Sequence, residues 1–254
     1  MHNRFVVTAA AFAALTLAHT QGFGAAPEAP AFIKAAVADP HRPAADTMRD
    51  GDRQPIDMLA NSGIKPGDKI AELIPAGGYS TRLLSAAVGP KGHIYSINLA
   101  TLTDRIKEQI DPVAKDPAYE NVSVLNEDFD QLTVPEPVDI VWTAQNYHDF
   151  QNPGMFHADT ATMDRAIFKA LKPGGLFVVI DHAAAPGSGT RDSGTLHRID
   201  EDVVKKEAMA AGFKLVGEYK VLGNPADDHT RRVTGQGGIA DKSDKFYLKF
   251  QKAK

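Results

Sequence analysis

Residues 65–98, KPGDKIAELIPAGGYSTRLLSAAVGPKGHIYSIN, decide the fold of this 254-residue chain. The apolar run at 69–74 predicts a buried strand, and the glycine pair that follows it predicts a tight turn into a helix at 80–88. The turn at 89–92 then leads into a second strand at 93–97. A strand, a helix and a second strand in this order are typical of a βαβ unit, and therefore of a mainly parallel sheet.

The same alternation continues towards the C-terminus. Further strands are predicted at 122–125, 138–143, 176–180, 214–219 and 245–251, helices at 103–115, 159–171 and 200–211, and a turn at 172–175. Seven strands separated by helices predict an α/β, Rossmann-like, doubly wound and mainly parallel seven-stranded sheet. Because ligands of such sheets bind beyond the carboxyl ends of the strands, a site is expected in the loops there. The loops at 182–199 and 222–244 are long, which is typical of functional or mobile segments.

The N-terminal segment predicts export. Arg4 precedes an apolar run at 5–18 that is too short for an ordinary membrane span, and small residues follow it. We therefore expect a signal peptide at 1–24, a linker and N-terminal helical extension at 25–64, and the α/β domain at 65–254. Cleavage places the mature protein in the periplasm or outside the cell, without a membrane partner; an uncleaved anchor is the alternative.

Composition restricts the classes of function. The formal net charge is −4 and the basic residues are dispersed, so nucleic acid is not an expected partner. The absence of cysteine excludes disulfides, thiolate metal ligands and cysteine nucleophiles. A small-molecule substrate is the remaining expectation, and the sequence predicts no oligomeric state.

Four segments together carry a family resemblance. They are residues 65–98, VDIVWTAQNYHDF at 138–150, ALKPGGLFVVIDH at 170–182 and EAMAAGFKLV at 207–216. In this order they resemble the class I S-adenosylmethionine (SAM) methyltransferases over most of the chain. The segment RPAAD…R…RQP before the first strand and the P-x-G-G-Y turn are similar to an exported subgroup described as predicted methyltransferases.

The resemblance implies SAM as cofactor. The residues expected to contact it are Glu72, Gly77, Gly78, Asn98 and Asp128. Two glycine positions of the family's turn hold Ile74 and Ala76, and the position that usually carries a ribose-binding carboxylate holds Asn98. SAM is also a cytosolic molecule, so an exported enzyme needs an unusual supply. SAM binding and a purely structural glycine turn therefore both stay open.

Acid–base side chains gather at the predicted ligand edge of the sheet. The expected catalytic residues are His148, Tyr147, Asp149 and His182, with His148 as general base, and the expected substrate contacts are Asn146, His197, Arg198, His229 and Arg231. Asp181 and three of these histidines are suitable metal ligands by type. Because no fixed ligand spacing supports a metal, none is predicted.

Three functions follow as expectations. The first is a methyltransferase-like enzyme that transfers a methyl group from SAM to a hydroxyl group of a small molecule. The second is a SAM-independent lyase or hydrolase that uses His148 in acid–base chemistry on a small alcohol, with aromatic alcohols as one class, since fold does not fix chemistry. The third is a non-catalytic ligand-binding protein.

Overall fold

The fold was analysed in a computed structural model that describes residues 28–152, 154–156 and 158–254. The predicted signal peptide lies outside these residues. A seven-stranded sheet runs in the order β3-β2-β1-β4-β5-β7-β6. Its strands are β1 (Lys69–Leu73), β2 (His93–Leu99), β3 (Val122–Glu127), β4 (Val138–Ala144), β5 (Leu171–His182), β6 (Lys214–Tyr219) and β7 (Lys245–Gln251). The first five strands pair in parallel, and β7 is antiparallel to both of its neighbours. The predicted fold class is confirmed.

Helices cover both faces of the sheet. They are α1 (Ala31–Val37), α2 (Ala44–Thr47), α3 (Asp50–Arg53), α4 (Pro55–Ser62), α5 (Tyr79–Val88), α6 (Asp104–Lys107), α7 (Asp111–Ala114), α8 (Tyr147–Phe150), α9 (Thr160–Ala170) and α10 (Glu201–Ala210). Apolar side chains of α1, α4, α5 and α7 form a core on one face. Those of α8, α9 and α10 form a second core on the other.

The sheet organises the chain because its central strands are buried on both faces. Ile70, Val141 and Val178 are fully buried, and a parallel strand covered on both sides has to be apolar along its whole length. Trp142 is also buried within the first core, as its position in a strand suggests.

The helical extension at 31–62 packs on the sheet as an integral layer. The hydroxyl of Tyr247 donates to the carbonyl of Met58 at 2.8 Å, and the amine of Lys249 donates to the carbonyl of Asn61 at 2.8 Å. These contacts join the extension to the last strand. The segment forms four short helices, and Pro55 stands at the start of the last of them.

Local structure differs from the sequence prediction in three places. The single helix predicted at 103–115 is two short helices and a 3₁₀ turn (Glu108–Ile110), because Pro112 cannot donate a backbone hydrogen bond within a longer helix. The turn predicted at 172–175 is a bulge within β5: Leu171 and Leu176 pair with β4 on either side of it, and Gly174 has φ +78°. The loop predicted after β4 contains the short helix α8.

Within the described residues, none of the helices has the length and apolar character needed to cross a membrane.

Candidate functional site

A cavity of about 260 Å³ opens beyond the carboxyl ends of β1 and β4. One wall is the turn between β1 and α5, and Gln145 and Asn146 after β4 form another. Arg49 and Arg53 of the helical extension also line it. The cavity therefore lies where parallel α/β sheets bind ligands.

The turn between β1 and α5 has a strained backbone. Ile74 has φ +53°, Ala76 has φ +47° and Gly78 has φ +81°. The left-handed conformation is easily adopted by glycine, but it is unfavourable for an alanine and more so for a β-branched isoleucine. The side chain of Asn146 donates to the carbonyls of Leu73 and Ile74, at 3.3 and 3.2 Å, and so fastens this turn to β4. The chain thus keeps a glycine-type turn without two of its glycines.

Glu72 lies at the base of the cavity. Its Oε2 accepts hydrogen bonds from Thr81 at 2.6 Å and from Ser96 at 3.3 Å. Burial raises the pKa of Glu72 to about 7, against the effect of these two donors. The cavity thus has at its base a carboxyl group that changes charge near neutral pH.

Arginines give the opposite wall of the cavity its charge. Arg49 makes two hydrogen bonds of 2.8 Å to Asp241, and Arg53 donates to the same carboxylate at 2.8 Å and to Gln145 at 3.1 Å. The Arg53 guanidinium also lies 4.4 Å from the ring centre of Tyr79. Although burial acts in the opposite direction, the two arginines hold the pKa of Asp241 at about 2. Two cations share one anion, so this wall favours an anionic ligand group.

A second cluster of polar side chains lies on α8 and the loop after β5. His148 Nδ1 donates to Asp181 Oδ1 at 2.8 Å, while Nε2 lies 3.2 Å from Asp149 Oδ1 and 3.3 Å from His197 Nδ1. His197 Nδ1 is also 3.2 Å from Asp149 Oδ1. His148 and Asp181 are 1% and 0% exposed, so these groups interact away from solvent.

Charge in this cluster is carried by His148. Burial opposes a charge on its ring, but the carboxylates of Asp181 and Asp149 outweigh it and raise the pKa of His148 to about 10. Burial lowers the pKa of His197 despite the neighbouring Asp149. Burial also lowers the pKa of His182, whose Nδ1 lies 2.6 Å from Ser243 Oγ. The two carboxylates thus favour the protonated form of His148, in which neither ring nitrogen has a free lone pair.

Comparisons with known proteins agree with this architecture. No protein-family model matches the chain. A protein-L-isoaspartate O-methyltransferase of Ignicoccus hospitalis is 28% identical over 124 residues, which are 48% of this chain and 51% of that protein. The chain therefore spans about half the length of the curated relative that it matches.

Solved structures decide the fold family. A SAM-dependent methyltransferase from Aquifex aeolicus has a TM-score of 0.59 at 18% identity, over 81% of this chain and 95% of its own. One from Mesorhizobium loti has a TM-score of 0.56 at 15% identity, over 80% and 100%. The chain has the class I methyltransferase fold. The resemblance predicted from the four sequence segments is confirmed at the level of the fold.

The residues predicted to contact the methyltransferase cofactor lie in different environments. Glu72 and Gly77 line the cavity, and Gly78 is the N-cap of α5. Asn98 is buried, and its side-chain amide donates to the carbonyl of Lys107 at 3.3 Å. Asp128 is exposed and accepts a hydrogen bond from the backbone amide of Asp130 at 3.2 Å, as a cap of the following turn. Of these five residues, Glu72 and Gly77 line the cavity beyond β1 and β4, and Asn98 lines a separate cavity of about 210 Å³.

Tyr147 lies away from the cavity in this methyltransferase fold. It is fully buried in the core beneath α8, and its hydroxyl oxygen lies 3.0 Å from Asp164 Oδ2 and 2.9 Å from Glu207 Oε2, so its single proton is shared between two carboxyl groups. Burial raises its pKa well above the ordinary value. These contacts correct the expectation that Tyr147 positions a substrate oxygen, since α8 turns its side chain into the core.

Three of the predicted substrate contacts lie in the long loops at 182–199 and 222–244, away from the cavity. The guanidinium of Arg198 is buried and binds the carbonyls of Ala183 and Arg231 and the carboxylate of Asp227. The ring of His229 lies 2.9 Å from Asp244 Oδ2, and Arg231 is exposed. Asn146 and His197 are thus the predicted substrate contacts that remain at the cavity and the histidine cluster.

The site residues predicted from the sequence do not include the arginines that line the cavity. Arg49, Arg53 and Asp46 lie in the charged stretch at 41–59, which the sequence marks as unusually polar for a helical segment. Nothing local in that stretch indicates that it folds across the carboxyl end of β1. That contact depends on the pairing of Arg49 and Arg53 with the distant Asp241.

Proposed function

We propose that this protein is a SAM-dependent methyltransferase acting on a small molecule, and that the methionine half of SAM binds in the cavity over the β1–α5 turn. The observation that carries the proposal is the retained turn, which is left-handed at positions 74, 76 and 78 although only the last is glycine. Backbone strain of this kind persists where the surrounding structure enforces it, and it concentrates at binding sites.

The charges of the cavity support an amino-acid ligand. Arg49 and Arg53 favour the carboxylate of the methionine portion, and the N-terminus of α5 at Tyr79 adds a favourable helix dipole. Glu72 and Asp46 provide acidic groups for an ammonium ion. A zwitterion satisfies both sets of charges, whereas a simple anion satisfies only one.

The acceptor of the methyl group is proposed to be an oxygen of a small molecule. The curated relative is named as an O-methyltransferase, which supports an oxygen acceptor over a carbon or nitrogen acceptor. Catalysis would then depend mainly on positioning of the two reactants and exclusion of water. We also propose that the protein acts outside the cytoplasm. The support for this proposal is the apolar segment that follows Arg4.

Titration calorimetry with SAM and S-adenosylhomocysteine (SAH) tests the proposal. We expect micromolar binding to the wild-type protein and at least tenfold weaker binding to Arg53→Gln, because that change removes a cation from the cavity wall. Arg165→Gln, an exposed arginine of α9, is the matched control and should bind like wild type. Absence of binding to the folded wild-type protein would refute the proposal.

One observation favours a second candidate, a SAM-independent lyase or hydrolase on the same scaffold. The amide of Asn98 is bonded to the chain's own backbone, and a Cβ on Gly78 would lie 2.5 Å from Val113. The segment that contains α7 thus packs closely on the side where the adenosine portion would bind. Turnover of small aromatic alcohols by protein that binds neither SAM nor SAH would establish this alternative.

A further inference from the structure

The geometry points to a binding site for one divalent transition-metal ion, represented by Zn²⁺, between His148, Asp149 and His197. His148 Nε2, His197 Nδ1 and Asp149 Oδ1 form a nearly regular triangle with sides of 3.2, 3.2 and 3.3 Å. The proposal is independent of SAM binding, since these residues lie on α8 and the loop after β5 rather than at the β1–α5 turn.

The size of the triangle matches a zinc site. Zn²⁺ binds imidazole nitrogen and carboxylate oxygen at about 2.0–2.1 Å in tetrahedral geometry, so two ligand atoms of one ion lie about 3.3–3.4 Å apart. Two nitrogens and one oxygen suit a transition metal better than Mg²⁺ or Ca²⁺, which prefer oxygen ligands. Three protein ligands leave a further coordination position for water or a substrate.

Asp181 provides the support that metal-binding histidines usually have. It is fully buried, and one of its oxygens accepts the backbone amide of His148 at 2.7 Å while the other accepts His148 Nδ1 at 2.8 Å. The hydrogen bond to Nδ1 fixes the ring so that Nε2 points at the triangle. Such a carboxylate orients the ligand and increases its basicity.

His197 reaches the triangle through an unfavourable backbone conformation. Its φ is +55°, which is uncommon for a residue other than glycine, and its side chain is almost fully buried. Conformations of this kind are retained at ligand sites where the position of one side chain matters. The unfavourable backbone conformation of His197 thus supports a functional role for the position of its Nδ1 atom.

Without a metal ion, the same three atoms can be joined by hydrogen bonds. Arg232 donates to His197 Nε2 at 3.0 Å, which leaves the ring proton on Nδ1, where it is shared with Asp149. When an ion binds Nδ1, the ring proton belongs on Nε2, and Arg232 has to turn away. Arg232 is exposed, so it can do so without disturbing the core.

The test is a titration of chelator-treated, full-length protein with Zn²⁺, followed by competition with a chromophoric chelator. We expect one ion per chain, and Co²⁺ in its place should give the intense visible d–d absorption of a tetrahedral site. His197→Asn should lower zinc affinity at least tenfold, because asparagine tolerates the left-handed backbone but replaces the imidazole ligand.

His229→Asn is the matched control, because His229 also has positive φ, at 62°, but contacts Asp244 outside the triangle. It should retain wild-type zinc affinity. Asp149→Asn, which preserves side-chain size, provides a second loss-of-ligand variant if His197→Asn fails to give a native circular dichroism spectrum. Absence of zinc binding, or equal affinity in the His197 and His229 variants, would overturn the proposal.

Discussion

Ala76→Gly measures the strain in the β1–α5 turn. Ala76 is exposed and has φ +47°, so the substitution removes an unfavourable left-handed alanine without removing buried apolar surface. The left-handed conformation costs an L-residue about 1–2 kcal/mol, and the added freedom of glycine in the unfolded chain costs about 0.5–1 kcal/mol. The expected net change is a gain of about 0.5–1 kcal/mol in the free energy of unfolding.

Urea denaturation of wild type and Ala76→Gly measures this change directly. Thermal denaturation of the same two proteins should show a rise in midpoint of about 2 °C for a domain of this size. Ala161→Gly, at an exposed position in α9, is the control with ordinary helical backbone, and it should lose about 0.5–1 kcal/mol. Equal destabilisation of both variants would refute the claim that position 76 is strained.

Three further predictions concern the surroundings of the cavity. Burial holds the pKa of Glu72 at about 7, above its ordinary value of 4.5, so the folded state binds more protons and stability is lost as pH rises from about 4.5 to 7. Glu72→Gln should abolish roughly 3 kcal/mol of that fall in pH-dependent denaturation. Tyr147→Phe should lower stability by about 1–3 kcal/mol in urea unfolding, because Asp164 and Glu207 lose a buried donor; an unchanged midpoint would contradict that placement. Gly78→Ala should lower stability by at least about 1 kcal/mol in the same assay, because φ is +81° and the new Cβ would meet Val113; wild-type stability would show that α7 does not pack there.

The fold is predictable from sequence because its signals are local. The apolar runs at 69–74 and 176–180 lie in buried parallel strands, and the glycine turn leads into a helix as expected. The exact ends of elements are less predictable. β5 begins before the Lys-Pro-Gly-Gly segment because Leu171 pairs with Val138 ahead of the bulge that this segment forms, and the local sequence does not encode that pairing.

The site is only partly predictable, for the same reason. Residues that follow strands, such as Asn146 and His148, are placed correctly at the ligand edge by the alternation of strands and helices. Whether a side chain faces the cavity or the core depends on the short helix α8, which turns Tyr147 inward. His148 and His197 come into contact because the long loop after β5 folds back towards α8. No residue spacing in the sequence indicates this contact.

The most direct test of the central claim is a crystal structure of the protein soaked with SAH. The account predicts electron density for the ligand in the cavity over the β1–α5 turn, with its carboxylate beside Arg49 or Arg53. A ligand bound elsewhere, or an empty cavity in crystals soaked at saturating SAH, would contradict the proposal that this cavity is the cofactor site.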